Sequence, residues 1–194
     1  LNSGSIEIVS VTRSSGALRR VETSSGKTYL VLDGPETVRF LEEGAVLEPA
    51  DIEELEGPAA RAAGLSYAMR FLSRRERTEH QVRAVLEAEG IDNPDSMDYI
   101  VRTLKEKNFL DDRRFARELI EYRIKHNPSG PALLRRKLLE AGVPAAVSEE
   151  LLEDAFPPGM EEEIAERLAR ERISRTGAAD REKAARRLSG YLSR

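Results

Sequence analysis

The sequence predicts a mainly α fold: tandem three-helix repeat modules in an elongated array, preceded by a small β-rich module. Three observations predict it. Two stretches are built alike, Val82-x-x-x-Leu86-x-x-x-Gly90-Ile91 and Leu134-x-x-x-Leu138-x-x-x-Gly142-Val143, each an apolar stripe at helical spacing that stops at a glycine suited to a left-handed helix end. Before residue 57 the apolar residues fall instead in short β-rich runs separated by Ser-Ser-Gly triplets. From Ala59 onward nearly every segment has helical periodicity with short joints. Arrays of this kind present a long surface without one deep pocket, which suits binding along another macromolecule.

Taken in order, Ile6, Ile8, Val9 and Val11, then Leu18 and Val21, then Tyr29-Leu30-Val31-Leu32 predict an antiparallel meander turning at Ser14-Ser15-Gly16 and Ser24-Ser25-Gly26. Pro35 starts a short helix through Val38, Phe40 and Leu41 to Gly44, and Pro49 another through Ile52 and Leu55 to Gly57. The sequence divides at Gly57-Pro58: residues 1–57 form the β-rich module with short acidic helices, 58–110 helical repeat 1, 111–158 helical repeat 2 and 159–194 an incomplete repeat 3. In repeat 1 a helix around Ala68, Phe71 and Leu72 precedes one opened by Thr78, with Gln81 at capping-box spacing, and a third runs from Pro94 to Leu104. Repeat 2 runs through Phe115, Leu119 and Ile124, breaks at Asn127-Pro128-Ser129-Gly130, continues through Leu134 and Leu138, and closes with Val147, Leu151, Leu152 and Phe156. Repeat 3 carries Ile164, Leu168 and Ile173, and then Leu188-x-x-x-Leu192, which stops two residues short of a third glycine.

Composition narrows the function. Without cysteine there is no disulfide framework, thiol nucleophile or thiolate metal site. No apolar run is long enough to span a bilayer, and the polar start Leu1-Asn2-Ser3-Gly4-Ser5 lacks a signal-peptide core, so a cytoplasmic location without membrane association is expected. The net charge of −4 is uneven: residues 1 to 58 carry five basic and eleven acidic side chains, leaving the remainder at +2. Basic residues there recur in bursts, Arg74-Arg75 with Arg77, Arg113-Arg114 with Arg117, Arg135-Arg136-Lys137, and Arg186-Arg187. One burst per module can line a face that meets an acidic partner, although pairs such as Glu163 with Arg167 are ordinary helix-surface contacts.

Chemistry-bearing residues are sparse. His80 and His126 lie apart without partners at ligand spacing, so no metal or cofactor is expected. Asp111-Asp112 reads as the N-cap and first-turn acid of the following helix rather than a catalytic pair. No phosphate loop or nucleophile elbow occurs, so an enzyme is not expected. Phe71, Phe115 and Phe156 sit in apolar stripes, as core residues rather than base-stacking platforms. A helix-turn-helix at 78–107 lacks an arginine-rich N-terminus on its second helix.

Leu72-Ser73-Arg74-Arg75, Thr78-Glu79, Leu86 and Gly90, then Leu104 and Phe109-Leu110-Asp111-Asp112 with Phe115-Ala116, resemble the bacterial RecX family of recombination regulators that bind RecA. Ser129-Gly130, Leu133, Leu138 and Gly142-Val143 continue the pattern, as does the unfinished Leu192-Ser193-Arg194. Thr78 stands where the family often has serine, and the front module with Gly44-x-x-Leu47 resembles the N-terminal extension of longer members. The resemblance implies a non-enzymatic inhibitor lying in the groove of RecA filaments on single-stranded DNA, where it restrains ATP hydrolysis, filament growth and strand exchange. On that reading Arg74, Arg75, Arg113, Arg114, Arg135, Arg136, Arg186 and Arg187 form the face toward RecA and, weakly, DNA. Leu86, Gly90, Asp111, Asp112, Phe115, Leu138 and Gly142 are the structural signature of the repeats. A monomer is expected. The alternative is a helical-repeat protein that binds DNA directly through the same basic face, and the β-rich module could fold back on that face through its acidic tail.

Overall fold

A computed structural model describes residues 5–176, with side chains to residue 170. Arg186, Arg187, Leu188 and Leu192 lie outside the described residues. The chain forms two compact units, residues 1–112 and 113–194.

The first unit begins with a four-stranded antiparallel sheet, β1 (Ile6–Arg13), β2 (Leu18–Thr23), β3 (Thr28–Leu32) and β4 (Val46–Leu47), in the order β3-β2-β1-β4. The two Ser-Ser-Gly turns carry their glycines at positive φ, 61° at Gly16 and 81° at Gly26, conformations that cost a side-chain-bearing residue strain. A 3-10 turn, Val38–Leu41, buries Phe40. The two-residue β4, invisible to periodicity, then pairs Ile6 with Leu47.

Helix α1 (Pro49–Glu56) opens with a reciprocal capping box between Glu48 and Asp51. It is followed by α2 (Pro58–Leu72), α3 (Glu79–Ala88) and α4 (Pro94–Glu106). Period-two alternation gives the sheet two apolar faces. Ile8, Val21, Tyr29 and Val31 pack with Phe40, Leu47 and Leu55 on one side. Leu18 and Leu30 join Ala60, Ala63, Ala68, Val82, Leu86, Ile91, Ile100 and Leu104 on the other. The sheet is therefore a layer inside the core of this unit, and repeat 1 shares its apolar cluster with strands β2 and β3.

Small residues bring the layers close. A Cβ at Gly64 of α2 would collide with Ile100 Cδ1 and lie 2.8 Å from Ile91 Cδ1.

The second unit holds α5 (Asp112–His126, of which Asp112 belongs to the first unit), α6 (Pro131–Glu140), α7 (Ala145–Ala155) and α8 (Met160–Thr176). Its core joins Ala116, Ile120, Leu134, Leu138, Val143, Leu151 and Leu152, with Phe115, Leu119, Val147 and Phe156 packed around them. From α8, Ile164 is buried, and the Arg167 guanidinium donates to the Ile124 carbonyl at 2.8 Å.

The repeated glycine signature is a helix-ending motif. After α3, Ile91 N–H donates to Leu86 C=O at 3.0 Å and Gly90 N–H to Glu87 C=O at 2.9 Å, with Gly90 at φ 92°. After α6, Val143 donates to Leu138 and Gly142 to Leu139, each at 2.9 Å, with Gly142 at φ 82°. Both are Schellman caps, and the apolar residues at their ends, Leu86 with Ile91 and Leu138 with Val143, are buried. A third cap ends α4: Phe109 donates to Leu104 and Asn108 to Lys105, each at 2.9 Å, with Asn108 taking the left-handed position at φ 57°. Asparagine tolerates that conformation better than other non-glycine residues, which is why a glycine search misses it.

Two capping expectations are met in part. Thr78 accepts from Gln81 N–H at 3.2 Å, but Gln81 Oε1 is buried without a partner, so the box is half formed. Asp112 stands in the first turn of α5, yet its carboxylate accepts the Glu79 N–H of α3 at 2.7 Å. It satisfies a free donor at the start of a helix 33 residues earlier in the chain.

Candidate basic interface

Arg74 and Arg75 follow the last turn of α2 and are exposed. Among the described residues neither has a carboxylate partner. With them stand Arg70, in the last turn of α2, and Arg77, whose guanidinium stacks 4.2 Å from the Phe71 ring centroid. Burial, and then the charges of Arg75 and Arg74, pull the Arg77 guanidinium below its ordinary pKa, and its Nε is buried without a partner. Glu76 is the one carboxylate in this stretch.

Two of these arginines, Arg70 and Arg74, border a cleft of about 290 Å³ lined also by Ser15, Tyr67, Phe71 and Ser73. Ser15 comes from the β1–β2 turn and the rest from α2 and the residue pair after it. Glu89, at the end of α3, accepts from Arg20 at 2.8 Å, Ser14 at 2.9 Å and Tyr67 at 3.3 Å, so its charge is met by Arg20. Arg70 was missed in the sequence because it interrupts the apolar stripe of α2, and Ser15 because no spacing links it to that helix.

A different environment surrounds the arginines of the second unit. Arg113 forms a two-pronged pair with Glu150, and Arg135 pairs with Glu149 through contacts of 2.6 and 2.8 Å. The hydrogen bond from Arg113 holds the Glu150 carboxyl below its usual range, and that from Arg135 does the same for Glu149. Arg136 approaches Glu140 at 3.5 Å on an exposed helix face. Arg114 is half-buried in the first turns of α5. The bursts therefore differ in kind: the first is uncompensated, whereas much of the second unit's positive charge is met within that unit. Between α5 and α7 lies a groove of about 420 Å³ whose Ile120, Ile124 and Leu151 are bordered by Arg117, Glu121 and Asp154, a mixed rather than a basic rim.

Of the remaining signature residues, Leu86 and Leu138 are buried, Phe115 is half-buried against the core, and Gly90 and Gly142 are the cap positions. His80 and His126 are both exposed, the latter beside the Tyr122 ring at 4.8 Å. Among the described residues no three histidine, aspartate or glutamate side chains converge as a metal would require, and no helix is long and apolar enough to cross a membrane.

Residues 65–97 match the first three-helix domain of RecX, and residues 111–152 match the second. Over these two stretches the chain is similar to the RecX family. The regulatory protein RecX of Lactococcus lactis subsp. lactis (strain IL1403) is 33% identical over 104 residues, 54% of this chain and 38% of that protein. That of Listeria monocytogenes serovar 1/2a (strain ATCC BAA-679 / EGD-e) is 34% identical over 103 residues, 53% of this chain and 38% of the relative. The matches thus span well under half the length of these curated relatives. A crystal structure of regulatory protein RecX covers 97% of this chain and 92% of its own at a TM-score of 0.61 and 21% identity. RecX from Lactobacillus salivarius gives 0.59 and 18% over 69% of this chain and 85% of its own. These two establish likeness of fold.

Proposed function

We propose that this chain is a non-enzymatic inhibitor of the RecA recombinase. It acts as a cytoplasmic monomer that lies in the groove of RecA filaments on single-stranded DNA and restrains ATP hydrolysis, filament growth and strand exchange. The observation that carries this reading is the succession of two RecX three-helix domains in one chain, in a protein whose relatives are named regulatory protein RecX. Linked modules suit a repeating polymer, since a second weak contact gains from the effective concentration set by the first.

Arg74 and Arg75 are the first contacts this reading assigns, because they meet no internal carboxylate. Arg113, Arg135 and Arg136 exchange exposed internal pairs for a partner's acids at small cost, as such pairs contribute only about 0–1 kcal/mol. The reading also assigns a contact to Arg114, and to Arg186 and Arg187, which lie outside the described residues.

The test is RecA's DNA-dependent ATP hydrolysis on single-stranded DNA with the full chain titrated in, and binding to bare DNA followed in the same buffer. Inhibition well below one chain per RecA, while bare DNA stays free, supports the reading. Inhibition only as DNA becomes covered supports direct DNA binding through the same basic residues instead. That alternative also requires affinity to fall steeply with salt and without RecA present.

A further inference from the structure

The cleft between the β1–β2 turn and the end of α2 has the chemistry of a binding site in its own right. We propose that Ser15, Arg70 and Arg74 bind a phosphate group there, the chemistry shared by free phosphate and a nucleic-acid backbone. The inference does not depend on RecA binding.

The lining offers donors and no carboxylate. Two guanidinium groups, each a planar fork of N–H donors, border the cleft with the Ser15 hydroxyl, while the Ser73 hydroxyl donates to the Arg70 carbonyl at 2.9 Å and forms part of the wall. Together the guanidinium groups and the Ser15 hydroxyl exceed what the two oxygens of a carboxylate accept and match the three or four oxygens of a phosphate. Glu89, the acid that Tyr67 of the lining meets, is occupied by Arg20, Ser14 and Tyr67, so Tyr67 contributes its ring as a wall while its hydroxyl points to Glu89.

Charge here is uncompensated and held in place. Arg70, Arg74 and Arg75 lack carboxylate partners among the described residues, and their mutual repulsion is relieved by an anion. Arg70 lies against the backbone of the β1–β2 turn because residue 16 is glycine: a Cβ there would collide with Arg70 Nη1 and lie 3.0 Å from its Cζ. At about 290 Å³ the cleft has room for a phosphate group, and its two arginines supply the charge. Its opening to solvent admits a phosphate that is part of a longer chain.

The experiment is a nuclear magnetic resonance titration of the full chain with inorganic phosphate, at fixed pH and ionic strength, against a chloride control. A second arm uses an oligothymidylate. The expected result is saturable movement of the Ser15, Ser73 and Arg74 amides. Arg70→Gln weakens it about tenfold. Gly16→Ala, which keeps the net charge but displaces the Arg70 guanidinium, weakens it too. Arg102→Gln, which removes an equal charge from the exposed face of α4, changes it by less than about twofold.

Oligothymidylate that moves the same amides and is displaced by phosphate identifies the nucleic-acid backbone as the source. Oligothymidylate without effect there identifies free phosphate, and either outcome supports the site. No saturable movement of these amides, or an Arg102→Gln effect equal to that of Arg70→Gln, overturns it. Because no RecA is present, failure here leaves the RecA reading standing, and success does not establish that reading.

Discussion

Replacing Gly90 with alanine tests whether the repeat signature is a local cap or a joint between layers. Two costs arise. Gly90 sits at φ 92°, where a Cβ costs roughly 1–2 kcal/mol. That Cβ would also be nearer the Thr28 carbonyl oxygen than real contacts permit, and 2.9 Å from its carbon. The obstacle is strand backbone, so relief requires moving β3 away from the end of α3, an overpacking penalty of about 1–3 kcal/mol. Together they predict a loss of about 2–5 kcal/mol, against a typical domain stability of about 5–15 kcal/mol.

Gly26 supplies the control: it has φ 81° and nothing within 4 Å of a built Cβ, so Gly26→Ala pays the conformational strain alone. Urea unfolding of both variants followed by far-ultraviolet circular dichroism compares the losses. Equal losses would refute the layer-contact argument and reduce Gly90 to an ordinary cap.

The remaining predictions concern the start of α3 and the β-rich segment. Burial pushes the Glu79 carboxyl upward, but hydrogen bonds from Lys105 and Arg83 outweigh it and hold its pKa below the ordinary glutamate value. Its stabilisation is therefore present above the unfolded-state value of about 4.3 and lost as pH falls through the folded one; the urea midpoint gap between wild type and Glu79→Gln should be clear at pH 7 and shrink toward pH 3. Burial, opposed by the Glu79 N–H bond and reinforced by the Glu79 and Asp111 charges, raises the Asp112 pKa. Asp112→Asn, which retains an acceptor oxygen, should then stay near wild type at pH 7 while Asp112→Ala loses about 1–3 kcal/mol by orphaning that donor. Deleting residues 1–57 removes Leu18 and Leu30 from the cluster that holds Val82, Leu86 and Ile100. The residue 58–194 fragment should lose the cooperative unfolding transition of the first unit, and retention of that transition by calorimetry would contradict a shared core.

Much of the fold was legible because its signals are local. Leu86 to Ile91 and Leu138 to Val143 announce their caps within six residues, since a Schellman motif specifies an apolar residue, a glycine and a second apolar residue in sequence. The three longer strands and the proline-opened helices follow from the same short-range rules. What was missed depends on distant partners. Val46–Leu47 is a strand only because Glu7 and Ile6 pair with it. The unbroken run Tyr29-Leu30-Val31-Leu32 did carry a signal, since a strand buried on both faces does not alternate with polar residues. Its residues divide between two clusters, and that division places the sheet inside the first unit.

The basic residues show the same limit in electrostatic form. Helical spacing exposes Arg136 with Glu140, but Arg135 with Glu149 spans 14 residues and Arg113 with Glu150 spans 37, so four-residue periodicity registers neither. The acidic front segment is similarly committed within its own unit: Glu48 and Asp51 cap α1, Asp51 also meets Arg39 at 3.2 Å, and Glu56 meets Lys27 at 2.7 Å. Those contacts leave less charge for folding back over the basic face than a count of acids suggests, because each pair must be broken before its carboxylate is offered elsewhere. By contrast, Arg70, Arg74 and Arg75 gain a counter-charge without giving one up. Their location beside Ser15 makes the β-rich segment a wall of the most available positive site, and its contribution to binding is then separable from its contribution to folding only by substitutions such as Gly16→Ala, not by truncation.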